Sequence, residues 1–320
     1  MLNATLKGPA DPVAPVARSE RAAAKAPSSI GRAVTHNLSK IVLAPSAALI
    51  LVAVYGFIAW TAWISLSSSK VMPVYDFVGL DQYVRLWSTP RWHTAVFNLF
   101  VFTGLFLFFA TAIGLLLAIL LDQRIRAEGA LRAIYLYPMA LSFIVTGTAW
   151  KWILNPGLGI QKVVNDLGWT SFVFDWLVSP DYAIYTVVIA AVWQSTGFAM
   201  AVFLAGLRGI DGSIIKAAQI EGASLPRIYA SVILPMLRPA LLSVIVMLSH
   251  IAIKSFDLVL ALTNAGPGSA TELPSTFMFS ASFRRNQLGV GAASAMMMLM
   301  AVAAIIVPYL YSELRTRHHD

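Results

Sequence analysis

Apolar runs long enough to cross a bilayer recur along this chain, and that recurrence limits its fold more than any motif does. A helix needs about 20 apolar residues to cross roughly 30 Å of hydrocarbon. Stretches of that length occupy 41–66, 94–121, 134–154, 182–207, 239–262 and 289–311. A transmembrane barrel would instead need alternating segments of about 10 residues, and these runs are continuous. Hydrophobic residues make up 58% of the chain and charged ones 12%, about half the charged share of a soluble domain. That composition excludes an ordinary soluble enzyme. It predicts an all-α integral membrane protein, a bundle of six transmembrane helices.

The net charge of +8 is distributed by loop and is not gathered into a nucleic-acid footprint. Arg18, Arg21, Lys25, Arg32 and Lys40 precede the first span. Arg124, Arg126 and Arg132 follow the second, Arg208, Lys216, Arg227 and Arg238 follow the fourth, and Arg315 and Arg317 end the chain. The alternate loops carry fewer basic residues. By the positive-inside rule both termini are cytoplasmic. Residues 1–40, rich in Ala, Pro and Ser, read as a disordered basic cytoplasmic tail. The domain proper is 41–311, and 312–320 form a short cytoplasmic tail. Cysteine is absent, which removes disulfides and thiolate chemistry.

The outer loops carry apolar character of their own. In the first, Phe77, Leu80, Tyr83, Val84, Leu86 and Trp87 suit a helix lying at the membrane interface. The second has turn signals around a short amphipathic middle. In the third, a Gly-Pro-Gly turn precedes Phe277 to Phe283, too short to span and able to dip back toward the bundle.

One insert, 208–238, is unlike the runs on either side. Asp211 or Ser213 can cap a helix through SIIKAAQIEG that stops at Gly222, a residue suited to a left-handed C-cap. Ser224 can cap a second helix, which Pro235 is expected to end. Ala217, Ala218 and Ala223 give the unit little side-chain bulk, so a partner's backbone can approach.

This segment resembles the signature loop of permease subunits of bacterial ABC importers: Glu-Ala-Ala, three residues, Gly, nine residues, then Ile-x-Leu-Pro. Ala217, Ala218, Gly222, Leu234 and Pro235 match at those spacings, while Lys216 replaces the Glu and Val232 the Ile. Downstream, Phe256-Asp257 and Leu262-Thr263 followed by Gly266-Pro267 resemble the carbohydrate-importing branch. IYLYPMALSFIVTGTAWKWILNPGLG and HIAIKSFDLV look most like glucose/mannose importer permeases of Gram-negative bacteria.

The resemblance implies a six-helix permease with a cytoplasmic coupling helix between helices 4 and 5. Lys216, Ala217, Ala218, Glu221, Gly222 and Ala223 would meet a cytoplasmic ATPase there. It further implies a second homologous permease, an ATPase pair that uses ATP and Mg, a periplasmic sugar-binding protein and an inner-membrane location. A phosphate-binding loop needs a Gly-Lys pair, and none occurs here, so ATP hydrolysis is assigned to a separate subunit. No HExxH or GxSxG motif is present, and no catalytic residue, metal site or cofactor of this chain's own is expected.

Ionisable groups inside spans are costly and mark cavities or partners. In the fifth span His250, Lys254 and Asp257 are spaced i, i+4, i+7 and so lie on one helical face, with Ser255 a neighbour at a different angle. Sugar hydroxyls both donate and accept, so an imidazole, an ammonium and a carboxylate make a fitting lining. Alternatively, Lys254 and Asp257 pair only to make the span tolerable. In the fourth span Trp193, Gln194, Ser195 and Thr196 offer a ring with amide and hydroxyl groups, although Gln194 can serve simply as interhelical glue. In the carbohydrate branch these two spans line the substrate path, so the resemblance favours Trp193, Gln194, Thr196, His250, Lys254, Ser255 and Asp257 as pathway residues. Asn98 and Met296 to Met298 read as packing. Two rival readings are a proton-coupled secondary transporter using the His250/Lys254/Asp257 face and, more remotely, an intramembrane hydrolase.

Overall fold

The computed structural model describes residues 29–123 and 126–316. Residues 1–28 of the expected tail, with Arg18, Arg21 and Lys25, lie outside that range, as do Arg124 and Arg317. Every regular element among the described residues is helical, apart from one isolated bridge between Ser67 and Phe77. The chain divides into two compact units, Met1–Gly56 and Phe57–Asp320.

The described part of the first unit is helix α1 (Ser29–Ser65), which continues into the second. Its stretch Val42–Ser65 is long and apolar enough to cross a membrane. The helix starts upstream of the predicted span, and residues 29–40 are helical where a tail was expected. That segment holds one glycine and no proline, so nothing in it stops a helix from propagating.

The second unit continues with α2 (Asp81–Trp87), α3 (Pro90–Asp122), α4 (Glu128–Leu136), a 3-10 turn at Tyr137–Ala140, α5 (Phe143–Ile153) and α6 (Ile160–Asp166). Next come α7 (Ala183–Arg208), α8 (Gly212–Ile220), α9 (Leu225–Ile228), a π-helical turn at Tyr229–Ile233 and α10 (Leu234–Met236). The chain closes with α11 (Arg238–Ile253), α12 (Asp257–Leu262), α13 (Pro274–Phe279), a second π-helical turn at Ser280–Arg284 and α14 (Leu288–Thr316). Pro90–Asp122, Ala183–Arg208 and Leu288–Tyr309 join Val42–Ser65 as the 4 helices long and apolar enough to span, or up to 6 if two bent pairs each count once.

Two of the predicted spans are not continuous helices. In 134–154 the chain turns by 100° between Glu128–Ala140 and Phe143–Ile153. Pro138 brings no backbone donor, Leu141 and Ser142 are extended, and the Ser142 hydroxyl starts α5 by accepting from the Val145 N–H at 3.3 Å. The fifth run, 239–262, is interrupted at 254–256: α11 ends at Ile253 and α12 begins at Asp257. No glycine or proline marks that break. The Ser275 hydroxyl donates to the freed Ser255 carbonyl, so a neighbouring segment meets the backbone need that the interruption creates. Pro235 likewise does not end its helix. The π-helical turn before it, where the Leu234 N–H reaches the Tyr229 carbonyl, is followed directly by the residue that lacks a donor, and the boundary falls at Leu237.

The main core joins α3 to α7. Asn98, Phe102, Phe106, Ala110, Gly114 and Ala118 are buried at intervals of four, one ridge of α3. A second cluster holds Leu86, Trp92, Ala95, Phe277, Ala281, Val290 and Ala293. Leu86 is therefore core, not an interfacial residue, and Tyr83 packs beside it. Phe77, Leu80, Val84 and Trp87 stay exposed. Phe277 does fold back into the bundle, as its short apolar stretch suggested, and Met297 packs on the same cluster.

Candidate functional site

The interruption between α11 and α12 opens a pocket of about 260 Å3 lined by Phe143, His250, Lys254, Ser255, Phe256 and Asp257, among others. The three ionisable residues do not share one helical face, because the helix that would align them is broken at Lys254. The break gathers them around one cavity instead. Lys254 is the C-cap of α11 and Asp257 opens α12, so each charge sits at the helix end whose dipole favours it. Both side chains are exposed, and no ion pair joins them among the described residues. The tolerance reading, a simple Lys254–Asp257 pair, is thus absent. His250 Nδ1 is buried with no hydrogen-bond partner among the described residues. The pocket therefore offers an ammonium and a carboxylate, with the His250 ring and the aromatic rings of Phe143 and Phe256 in its walls.

The fourth-span residues fall elsewhere. Trp193, 41% exposed, meets Trp150 edge-on at 5.9 Å. With Thr196 it lines a separate groove of about 990 Å3 whose other walls include Phe109, Tyr135, Trp176 and Tyr185. The Thr196 hydroxyl donates back to the Val192 carbonyl. Gln194 is buried and donates from Nε2 to the Leu141 carbonyl at 2.7 Å, serving the backbone group freed by the bend before α5. Ser195 is buried too. The break pocket and the Trp193 groove are distinct, so the seven predicted pathway residues do not converge on one cavity.

In the 208–238 insert the expected caps form at both ends of α8, whereas Ser224 stands at the N-cap of α9 without a side-chain cap bond. The Asp211 carboxylate accepts from the Ser213 N–H at 2.8 Å. That backbone bond, then the Ser213 side chain, holds the Asp211 carboxyl below its usual pKa. At the other end of α8, Gly222 has φ +81°. Its N–H bonds to the Gln219 carbonyl at 3.0 Å and the Ala223 N–H to the Ala218 carbonyl at 3.1 Å, a Schellman closure that needs a left-handed residue at Gly222. Ala218 and Ala223 turn inward onto the main core, contrary to the small-residue outer surface expected of them. The outward face carries Lys216, Ala217, Glu221 and Gly222 with Ile220, which is 87% exposed. Ile220 is the residue the sequence pattern gave no reason to single out. At the root of the insert Arg208 pairs with Glu128 of α4 and reaches Asp122 of α3 at 3.9 Å.

Asn98 does more than pack. Its Nδ2 donates to the Ala270 and Glu272 carbonyls at 2.9 and 3.0 Å, fixing the segment between α12 and α13 to α3.

Comparison with known proteins follows the same lines. The model of binding-protein-dependent transport system inner membrane components matches residues 110–317. A "Probable ABC transporter permease protein" of Pyrococcus horikoshii is 36% identical over 271 residues, 84% of this chain and 93% of the relative. A xylose/arabinose import permease protein of Haloferax volcanii is 36% identical over 267 residues, 82% and 84% of the two chains. A bacterial alginate ABC transporter, solved in complex with an alginate pentasaccharide-bound periplasmic protein, shares the fold: the TM-score is 0.74 over 86% of this chain and 94% of that one, at 19% identity.

Proposed function

The chain belongs to the family of binding-protein-dependent transport system inner membrane components, and from that premise we propose that it is a permease subunit of an ATP-driven sugar importer. In this reading the chain crosses the membrane six times, with 239–262 as the fifth crossing, and the 208–238 insert and both termini lie in the cytoplasm. One such bundle supplies half of a pathway, and a second homologous permease supplies the other half. An ATPase pair consumes ATP and Mg, and a periplasmic binding protein delivers substrate. We take the substrate to be glucose, mannose or a related mono- or oligosaccharide.

The observation that carries the ATP-coupled reading is the unit α8–Gly222–α9. It is anchored through Ala218 and Ala223 and presents Lys216, Ala217, Ile220 and Glu221 outward. An apolar side chain as exposed as Ile220, held on a capped and rigid turn, suits insertion into a partner's cleft. Motion of that partner would reach the bundle through Arg208 and its two carboxylate contacts.

The sugar-handling reading is supported by the break pocket. At about 260 Å3 it falls just under the roughly 300 Å3 at which drug-sized sites begin, the scale of a single sugar ring. His250, Lys254, Ser255 and Asp257 are the pathway residues on this reading, and Gln194 acts by holding the Leu141 bend. Trp193 and Thr196 belong to the other groove. A proton relay along one continuous helical face loses its premise at the 254–256 interruption.

The test is purification of the tagged chain from its native membrane with identification of its companions. Recovery of an ATPase and a second permease, followed by ATPase activity that rises with sugar-loaded binding protein, is the expected outcome. Active uptake by the chain alone would overturn the proposal and favour a secondary transporter.

A further inference from the structure

At the far end of α12 from the break pocket lies a second, polar recess of about 280 Å3. Its lining includes Arg91, Asn264, Ala265, Glu272, Phe279 and Arg284. Its charges do not balance. Both carboxylate oxygens of the fully buried Glu272 are taken by Arg91, Nε to Oε2 at 2.9 Å and Nη2 to Oε1 at 2.7 Å. Among the described residues no carboxylate remains for Arg284, whose guanidinium meets only the Asn264 amide oxygen, at 3.3 and 3.4 Å, and stands 5.4 Å over the Phe279 ring.

The next residue, Arg285, adds a third positive charge. It lies 4.5 Å over Phe277, and its buried Nε and Nη2 have no hydrogen-bond partner among the described residues. Burial, then Arg91, lower its pKa, and Glu272 opposes them; a guanidinium remains cationic regardless. Two arginines thus line the recess, with Arg285 close behind it, against one carboxylate that Arg91 already engages. The backbone beside Arg284 is held as well: Asn264 and Ala265 have φ +53° and +64°, a left-handed conformation costly for a residue with a Cβ and most often retained at binding loops.

We infer that this recess seats an acidic side chain, Asp or Glu, of the binding protein that delivers substrate. The inference rests on the importer reading above. Arg284 takes the carboxylate in a forked pair, with its plane set by Phe279 and Asn264, and Arg91, immobilised by Glu272, adds a second positive charge. The recess favours a protein-borne carboxylate over a sugar acid because Arg91 and the 264–284 residues that line it belong to the first and third outer loops of the sequence reading, apart from the break pocket. α12 is six residues long, about 9 Å at 1.5 Å per residue. It begins at Asp257 in the break pocket and leads to Asn264 in the recess. Substrate and docking partner would thus engage opposite ends of one short rod.

The test uses the intact importer in lipid nanodiscs with its co-purified ATPase and binding protein. ATPase activity is titrated with sugar-loaded binding protein at low salt and at about 0.5 M salt, where charge contacts are screened within roughly 4 Å. Arg284→Glu is expected to raise the half-maximal concentration of binding protein about tenfold and to flatten its salt dependence. Arg284→Lys should fall between, and an acidic-to-basic reversal on the docking face of the binding protein should restore Arg284→Glu. Arg284 is exposed, so these variants are expected to fold; Arg284→Ala, compared by thermal unfolding of the complex, controls for that. An unchanged half-maximal concentration in Arg284→Glu overturns the inference. So does a defect that no single reversal relieves, or a shift in the sugar concentration required with none in the binding-protein concentration. If even the unaltered complex is not stimulated by loaded binding protein, the importer reading itself fails.

Discussion

Gly147 of α5 and Ala261 of α12 are in backbone-level contact: a Cβ built on Gly147 would stand 2.7 Å from the Ala261 Cβ, 3.0 Å from the Leu258 carbonyl oxygen and 3.2 Å from the Leu262 nitrogen. The two short helices therefore seat directly on one another. The break pocket lies along this contact, with Phe143 of α5 on one side and Asp257 and Leu258 of α12 on the other. Whatever moves α12 must carry α5 with it.

Gly147→Leu forces the helices apart, and overpacking of this kind costs about 1–3 kcal/mol. The expected result is a lower unfolding temperature for the purified complex and loss of uptake, with co-purification of the ATPase retained. Gly147→Ala should give a smaller shift in the same direction. Equal thermal stability of Gly147→Leu and the unaltered chain would falsify the close contact.

Lys254→Met and Asp257→Asn remove charges that have no ion-pair partner among the described residues. Nothing buried is orphaned by either change, so stability should alter by no more than about 0.5 kcal/mol. Uptake of labelled sugar is expected to fall by about tenfold or more, because each loses a charge-assisted hydrogen bond worth about 1.5–3 kcal/mol. A variant that loses stability yet transports normally once folded would return these side chains to a structural role.

Glu272 is the opposite case, since it is fully buried and engaged on both oxygens by Arg91. Glu272→Leu strands the guanidinium, at a cost of up to about 3–5 kcal/mol for a buried pair, less here because the Arg91 side chain is 42% exposed. Thermal unfolding of Glu272→Leu, Arg91→Met and the double variant should show a positive coupling between the two sites. Strict additivity would mean the pair contributes nothing.

The parts of this fold legible in the sequence are those fixed by local chemistry. Long apolar runs predict spanning helices because a bilayer tests length and composition alone, and Asp211 and Gly222 bracket α8 because caps act through their own backbone. The interruption at Lys254–Phe256 was not legible. It contains no glycine or proline, and its cost is met from outside, by Ser275 on the segment that returns to the bundle. Asn98 read as packing for a similar reason, because its partners Ala270 and Glu272 lie far along the chain. The break also changed the site. Periodicity aligned His250, Lys254 and Asp257 on a helix that does not continue, and they meet around a cavity instead.

The 208–238 insert gives the sharpest separation of folding from coupling. Gly222, at φ +81°, closes α8, and any residue with a Cβ there is strained. Gly222→Asp therefore disturbs the turn as well as its surface, and loss of ATPase binding in that variant alone would be ambiguous. Ile220 has no such double role. It is 87% exposed, so Ile220→Asp removes an apolar knob without opening a cavity, and the unfolding temperature of the isolated subunit should hardly move. If the knob fills a cleft in the ATPase, an ionised carboxylate cannot follow it there without desolvation. Co-purification with the ATPase should drop at least about tenfold, in line with the 2 kcal/mol or more of a central anchor. Ala217→Ser, a small polar change on the same face, should be tolerated. Undiminished recovery of the ATPase with Ile220→Asp would show that coupling enters the bundle somewhere other than this turn.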